Sequence, residues 1–306
     1  LKGIDVVRRI LQMEADLLWL GGIGTFIKSD SENDFQVGDQ ANNEVRINSS
    51  ECKVKVIGEG ANLGLTHLAR IELSNNGVRL NSDSVDNSAG VNMSDYEVNL
   101  KILLQQMLRK GHINSKQERD KLLISATDEI SELVLANNLG QHRLISMDSI
   151  RSGLNFRLFR KLISHLEKKG MNKRIEYIPS WSELNQLENA DMPLPRPVLC
   201  VLMAYSKMEV FDALSSSDMP LEEELTKYFL EYFPKKVRYS FGENITYHPL
   251  KKEIISTVLT NRIINQAGST FVSRMVNGTE HSIPDVVRTY LVIESCIEAE
   301  NIRDKL

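Results

Sequence analysis

Cysteine is scarce in this chain of 306 residues, and the three cysteines lie far apart. They are Cys52, Cys200 and Cys296, an odd number without a CxxC pair. This pattern excludes a disulfide framework and a thiol-based metal or redox motif, and it is typical of a reducing compartment, so we predict a cytoplasmic protein. The six histidines are scattered without ligand spacing, and we expect no metal site.

The chain also lacks an excess of charge of one sign, with 41 acidic and 37 basic residues. This balance gives no electrostatic footprint for nucleic acid or for an anionic membrane, and neither is expected as a partner. No apolar run approaches the ~20 residues that span a bilayer. Glycine-rich phosphate loops (GxGxxG or Walker) are missing, as are GxSxG and HExxH. A dinucleotide-binding domain here would therefore lack the half that holds the pyrophosphate.

Both ends of the sequence have features that are typical of a fragment of a longer chain. The chain begins with Leu1 instead of Met, and residues 286–306 keep a helical pattern without a stop signal. At ~100–200 residues per domain, the length predicts two or three domains. We expect a piece of a longer protein or one product of a split gene, whose chemistry needs residues outside this chain.

Short apolar runs alternate with helical patterns in the first part of the chain. The apolar runs lie at 15–20, 53–57 and 77–82, and the helical patterns lie at 2–13 and 66–75. This alternation is typical of βαβ units and predicts an α/β domain over residues 1–110, the late half of a Rossmann-like parallel sheet that would bind NAD. A strand with a hairpin turn is an alternative for 66–73, but we favour the helix.

Helical periodicity dominates the rest of the chain. It predicts helices from 95, over 116–138 and over 147–169, with Gly140 in the break between the last two. Residues 111–306 are therefore predicted to form an all-α C-terminal domain. The polar stretch 30–50 is predicted to be a long surface loop or a partly helical insertion.

Three of the apolar runs end in polar loops that contain glycine: GGIGT (21–25), GEGAN (58–62) and DNSAGV (86–91). Because ligands of open parallel sheets bind beyond the carboxyl ends of the strands, these loops form a candidate site. Plain turn chemistry explains each loop as well, since glycine adopts positive φ readily. Asn62 and Asn87 offer the donor and acceptors that a carboxamide or ribose would need, although each alone is also an ordinary turn residue.

The segment from Ser94 to Glu97 has the S-x-x-E form of a capping box, which predicts that a helix begins at Ser94. Capping alone explains both residues. The dipole and the amides of a helix N-terminus also favour an anion, so a substrate carboxylate at Ser94 would be compatible with the cap.

Several ionisable residues near these loops have ordinary structural interpretations, which we favour. Nothing in the sequence pairs Glu59 or Asp86 with a base or nucleophile, and both are assigned solvated or loop-bonded roles. Arg70 and Lys101 are assigned to solvated helix faces, although either could attract a dinucleotide phosphate. His67 follows Thr66 at a predicted helix start and is assigned a capping or surface role.

Three segments carry a family resemblance: DLLWLGGIGTFIK (16–28), KVIGEGANLGLTH (55–67) and NSDSVDNSAGVNMSDYEVNLKILL (81–104). In them the sequence closely resembles the long-chain class of NAD-specific glutamate dehydrogenases. The resemblance continues through the helical part and covers nearly the whole chain. It implies an enzyme that uses NAD to deaminate L-glutamate oxidatively to 2-oxoglutarate and ammonia, and it makes this chain the late part of the NAD-binding domain plus helical domain.

The resemblance also implies roles for individual residues. Gly21 and Gly22 would lie against the nicotinamide-side ribose, and Asn62 would contact that ribose or the carboxamide. Asn87 would contact nicotinamide and substrate, and Ser94 would donate a hydrogen bond to the side-chain carboxylate of glutamate. The catalytic Lys and Asp of the family and its glycine-rich loop fall outside the chain. No catalytic residue is therefore assigned here, and we expect an inactive chain that needs a homo-oligomer or a complementing upstream chain.

The sequence departs from the family pattern at a few positions. Gln40 and Asn43 replace an Arg and an Asp, so a salt bridge between these two positions is expected to be lost, and His67 replaces a Gln. A Val at 198 replaces a Glu. These changes leave open an alternative function, a non-catalytic helical assembly or regulatory module with a vestigial nucleotide-binding half.

Overall fold

The computed structural model describes residues 2–303 and residue 305. Small parallel sheets lie within the first sixty residues, and helices make up most of the remainder. The predicted combination of an α/β part with a helical part is thereby confirmed at this level. The chain forms two compact units, one of Leu1–Gly90 with Gln141–Met203 and one of Val91–Gly140 with Ala204–Leu306. The division into domains at residue 110 stays a prediction.

Four short strands form two parallel pairs in the first unit. They are β1 (Ala15–Leu20), β2 (Ile27–Lys28), β3 (Ile47–Asn48) and β4 (Val54–Glu59). β1 pairs with β4, and β2 pairs with β3. The strands predicted at 15–20 and 53–57 are confirmed. The run at 77–82 instead forms a single parallel bridge, from Arg79 to Val56 on β4.

Sixteen α-helices are present within the described residues. They are α1 (Gly3–Leu11), α2 (Asp34–Val37), α3 (His67–Asn75), α4 (Asp83–Asp86), α5 (Ser88–Arg109), α6 (Lys116–Ser125), α7 (Thr127–Leu154), α8 (Phe156–Lys168), α9 (Trp181–Asn189), α10 (Arg196–Ser215), α11 (Thr226–Tyr232), α12 (Lys235–Phe241), α13 (Lys251–Ala267), α14 (Phe271–Asn277), α15 (Ile283–Cys296) and α16 (Ala299–Arg303). The helices predicted at 2–13 and 66–75 are confirmed as α1 and α3. None of the described helices is long and apolar enough to cross a membrane.

One apolar cluster joins the sheet of the first unit to α3. Leu20 of β1, Ile57 of β4 and Leu73 of α3 belong to this cluster, and their exposed fractions are 7%, 2% and 2%. Thr66 caps α3, its hydroxyl accepting a hydrogen bond from the amide of Ala69. Burial of this kind stabilises by roughly 25 cal/mol per Å² of apolar surface, so the cluster fixes one face of the sheet.

Two predicted helix boundaries are wrong. Helix α5 begins at Ser88, so Ser94 lies nearly two turns inside it and does not form the predicted cap. Helix α7 runs without a break through Gly140, where the sequence predicted an end. A Cβ at Gly140 would lie 3.2 Å from Nδ2 of Asn265, so this glycine provides space for a neighbouring side chain.

A buried guanidinium organises the polar stretch 30–50. Arg46 is only 3% exposed, and its Nε donates to the carbonyl of Thr25 at 2.8 Å. Its Nη1 donates to Asp34 at 2.8 Å and to the side-chain oxygen of Asn43 at 2.7 Å. An ion pair, Arg46–Asp34, therefore lies in this segment, and Asn43 acts in it as a neutral acceptor. The stretch is partly helical through α2, one of the two forms predicted.

The second unit is built around α13, which buries apolar side chains on several faces. These are Ile254, Ile255, Leu259, Ile263 and Ile264. Two tyrosine rings, Tyr96 and Tyr232, stack with centroids 4.2 Å apart in the same unit. A partly buried lysine also lies in this unit, and Nζ of Lys207 donates to Oδ1 of Asn261 at 2.8 Å. Burial lowers the pKa of Lys207 to about 7.

Candidate functional site

The carboxyl ends of β1 and β4 lie next to each other in the first unit. Leu20 is opposite Glu59 in the parallel register. Beyond the strands, the amides of Gly60 and Ala61 both donate to the carbonyl of Leu20, at 2.9 and 3.1 Å. The GGIGT and GEGAN loops therefore leave the same edge of the sheet, which is where parallel sheets bind ligands.

Asn62 and Asn87 are brought together across twenty-five residues of sequence. Nδ2 of Asn87 donates to Oδ1 of Asn62 at 2.6 Å. This bond uses one polar atom of each amide, and the second atoms are a donor on Asn62 and an acceptor on Asn87. A Cβ at position 90 would lie 3.1 Å from Oδ1 of Asn87, so Gly90 leaves space beside that acceptor. A carboxamide ligand presents the complementary acceptor and donor.

The GEGAN loop is held by a buried ion pair. Arg70 of α3 donates to both carboxylate oxygens of Glu59, at 2.7 and 2.8 Å, and the two residues are 3% and 1% exposed. Burial raises the pKa of Glu59, and the two bonds from Arg70 oppose that shift. The solvated helix face predicted for Arg70 is therefore wrong. The sequence does not reveal this ion pair, because nothing about an arginine in a short helix indicates a carboxylate partner eleven residues earlier in the chain.

Asp83 extends this network to the far end of the loop. Its Oδ2 lies 3.3 Å from Nη2 of Arg70 and accepts the amide of Leu63 at 2.9 Å. Leu63 has φ 63°, a left-handed conformation that is uncommon for leucine. The carboxylate therefore holds a strained residue directly after Asn62, which is the kind of local strain that clusters at ligand sites.

The loop predicted over 86–91 is wrong, because the segment is helical at Asp86, the last residue of α4, and again from Ser88, the first residue of α5. Asp86 ties this DNSAGV segment to the end of β4. Its Oδ2 accepts the amide of Glu59 at 3.0 Å, and its Oδ1 accepts Nδ2 of Asn81 at 3.0 Å. Asn81 also contacts Nδ1 of His142 at 2.9 Å and accepts Nε of Arg196 at 3.0 Å. The loop-bonded role predicted for Asp86 matches this geometry. His142 and Arg196 were not predicted from the sequence, because both lie more than fifty residues from the segment that they contact through Asn81.

The ring of Trp19 accounts for the glycines at positions 58 and 60, which the sequence analysis assigned to turns or to a ligand site. Its indole lies against β4 and the following loop, so that a Cβ at Gly58 or Gly60 would come within 2.7 or 2.6 Å of the ring. Neither is among the glycines with positive φ. A Cβ at Gly21 would lie 3.6 Å from Nε1 of the same indole, whereas a Cβ at Gly22 would meet no neighbouring group within 4 Å. Gly22 therefore faces open space, as a ribose contact would require.

The other predicted residues have mixed outcomes. Ser94 lies within α5, so its role toward glutamate stays a prediction that no longer rests on a helix N-terminus. Lys101 is exposed and pairs with Glu97, in agreement with a solvated face. His67 is partly buried, its Nε2 has no hydrogen-bond partner among the described residues, and burial lowers its pKa to about 4. No cluster of three metal-ligating side chains occurs in the part of the chain that the structure describes.

A second concavity of the first unit contains none of the predicted site residues. It is a groove of about 750 Å³ lined mainly by apolar side chains, among them Leu68, Tyr177, Trp181 and Met192. Lys173 lies over the ring of Trp181 at 4.1 Å. The loops at the strand ends therefore remain the candidate site, because the convergent amides and the buried charges are found there.

The candidate site thus consists of paired amides and glycine-containing loops at the carboxyl edge of a parallel sheet, where open α/β sheets bind their ligands. Two family models match the chain: "Bacterial NAD-glutamate dehydrogenase, catalytic domain" over residues 1–148, and "Glutamate dehydrogenase, C-terminal" over residues 191–306. The chain belongs to this NAD-glutamate dehydrogenase family, as a segment of such an enzyme. The resemblance found in the sequence is confirmed.

Three curated relatives share the name NAD-specific glutamate dehydrogenase. The Pseudomonas aeruginosa protein is 38% identical over 94% of this chain, and the Mycobacterium tuberculosis protein is 38% identical over 95%. The Halomonas elongata protein is 35% identical over 99% of the chain. The chain spans only 18–19% of the length of these relatives.

Proposed function

We propose that the chain is the part of an NAD-dependent glutamate dehydrogenase that orients the nicotinamide and the substrate. The parent reaction is the oxidative deamination of L-glutamate to 2-oxoglutarate and ammonia. The observation that carries the proposal is the Asn62–Asn87 amide pair, 2.6 Å apart at the carboxyl edge of the sheet. Family membership supports the choice of NAD and glutamate.

The chemistry of the donor set fits NAD. One donor of Asn62 and one acceptor of Asn87 match the carbonyl and the amino group of a nicotinamide carboxamide. Gly21 and Gly22 would leave room for the adjoining ribose, and Ser94 would donate to the glutamate side chain. When bound, NAD supplies the hydride acceptor, and the residues of this chain supply orientation, which is a large share of the rate enhancement in such reactions. We further propose a Rossmann-like sheet, a cytoplasmic location and an assembly with further polypeptide, either homo-oligomeric or complementing.

The proposal is tested by titrating the ¹⁵N-labelled chain with NADH. The side-chain amide signals of Asn62 and Asn87 should shift, while that of Asn185 on α9 should not, and Asn87→Ala should weaken binding at least tenfold. Unchanged Asn62 and Asn87 signals at millimolar NADH would favour the non-catalytic alternative. The chain alone should not produce NADH from glutamate and NAD, since it lacks acid–base residues assigned to the reaction.

Substrate choice is tested separately at Ser94. In an active, completed enzyme, Ser94→Ala should weaken glutamate far more than a short aliphatic amino acid, because only glutamate has a side-chain carboxylate for the hydroxyl to contact. Ser94→Thr, which keeps the hydroxyl, is the matched control. Equal losses for both substrates would contradict the glutamate assignment.

A further inference from the structure

One face of the β1–β4 pair is apolar and uncovered. Leu17 and Trp19 of β1 are 57% and 61% exposed, and Val56, opposite Leu17 on β4, is 36% exposed. Alternate residues of the same strands, Leu20 and Ile57, are 7% and 2% exposed. The two faces therefore differ in exposure at these positions, while Val54, which shares a side of β4 with Val56, is 6% exposed. We call Leu17, Trp19 and Val56 the outer face.

Parallel strands are an unusual setting for an exposed apolar face. Parallel sheets occur almost only with helices on both faces, because each crossover connection places a helix against the sheet. Here α3 contributes to the cluster on one face, and the outer face has no comparable cover among the described residues. An exposed indole with exposed aliphatic neighbours is also typical of an interface anchor.

We propose that the outer face docks an apolar helix supplied by the remainder of the same enzyme, outside these 306 residues. The relatives support this occupant, since this chain spans only 18% of the Pseudomonas aeruginosa protein and the longer chain has ample sequence for the missing layer. The inference rests on the proposed function, because it takes the partner to be the rest of the dehydrogenase. A second copy of this chain is the competing occupant.

Docking on this face would act on the nucleotide loops through Trp19. One side of the indole lies against Gly58 and Gly60, and the loop from Gly60 leads directly to Asn62. A helix packed on the exposed side would confine the ring against these glycines. The outer face thus links assembly of the enzyme to the order of the GEGAN loop.

The test compares residue-specific solvent access in two proteins. One is the 306-residue chain, and the other is the full-length Pseudomonas aeruginosa relative in which this chain replaces the matched segment. Hydroxyl-radical labelling with mass spectrometry should show Leu17 and Trp19 at least tenfold less reactive in the full-length protein. Phe35, which is 90% exposed in the same unit, is the internal control and should react equally in both.

A charged substitution gives a second, independent readout. Leu17→Asp should leave the urea midpoint of the isolated chain unchanged, since the side chain is already exposed, and should lower the thermal midpoint of the full-length protein. Phe35→Asp is the matched control and should change neither. If Trp19 stays reactive in a full-length protein that binds NADH, the docking proposal is overturned while the proposed function stands. If the isolated chain dimerises and thereby protects Trp19, a second copy is the occupant and the proposal is likewise overturned.

Discussion

Lys207 gives the sharpest prediction about stability, because it is a partly buried lysine of the second unit with an amide as its hydrogen-bond acceptor. Nζ donates to Asn261 at 2.8 Å, and no ion pair to Lys207 occurs among the described residues. Burial lowers its pKa from 10.5 to about 7. Replacing it with the neutral side chain of similar length, Lys207→Met, should therefore change both the stability and its dependence on pH.

The magnitude follows from proton linkage. Between pH 7 and pH 10.5 the unfolded chain keeps the proton that the folded chain has released, so the stability of the wild-type chain rises with pH in this window. One such group contributes ~1.4 kcal/mol per pH unit, or about 2 kcal/mol between pH 7 and 9. Because the side chain keeps part of its surface exposed, solvent screening reduces this to roughly 1–2 kcal/mol.

Urea denaturation at pH 7, 8 and 9 measures the effect. Lys207→Met should stabilise the chain by about 1–2 kcal/mol at pH 7, after allowance for the hydrogen bond that Asn261 loses, and the advantage should shrink toward pH 9. Lys121→Met, on the exposed surface of α6, is the matched control and should follow the wild-type curve. Parallel curves for Lys207→Met and wild type would refute the assignment of this proton to Lys207.

Three further predictions concern the first unit. Burial lowers the pKa of His67 from 6.5 to about 4, so the unfolded chain takes up the proton first and stability falls as the pH drops through this range. His67→Gln should remove roughly 1–2 kcal/mol of that loss between pH 7 and 5 in urea titrations, and an unchanged acid sensitivity would contradict it. Arg70→Met should destabilise by about 3–5 kcal/mol by leaving Glu59 buried without its partner, and the double variant with Glu59→Leu should recover most of this, whereas additive losses would argue against a coupled pair. Gly60→Ala should displace Trp19 and shift its fluorescence in a Trp181→Phe background, while Gly22→Ala, with open space around it, should leave the emission unchanged.

The sequence predicted the elements whose signal is local. The strands at 15–20 and 53–57 are short apolar runs that stop at glycine, and α3 follows a capping threonine. The sequence also predicted that the GEGAN and DNSAGV segments meet, and Asn62 does contact Asn87, although Asn87 follows α4 and not a strand.

The failures have causes that the local sequence pattern does not show. Gly140 looks like a helix end, but it serves the approach of Asn265 from α13, so α7 continues through it. The capping form at Ser94 is overridden because the helix has already begun at Ser88. Arg70 lies in the core because Glu59 is buried beside it, and a carboxylate partner in another element leaves no periodic trace in the sequence.

Arg46 has a consequence for how this segment can vary. The planar guanidinium of Arg46 holds residues 25–46 in place through its hydrogen bonds. It requires oxygen acceptors around it, but these can come from different side chains. An aspartate-to-asparagine change at position 43 preserves the side-chain oxygen that accepts from Arg46. The residues around the guanidinium can therefore be substituted while the backbone path is maintained. Arg46 itself has no such freedom, since the single ammonium of lysine could not satisfy the same set of oxygens. Variation in this stretch should therefore be high around an arginine that does not change.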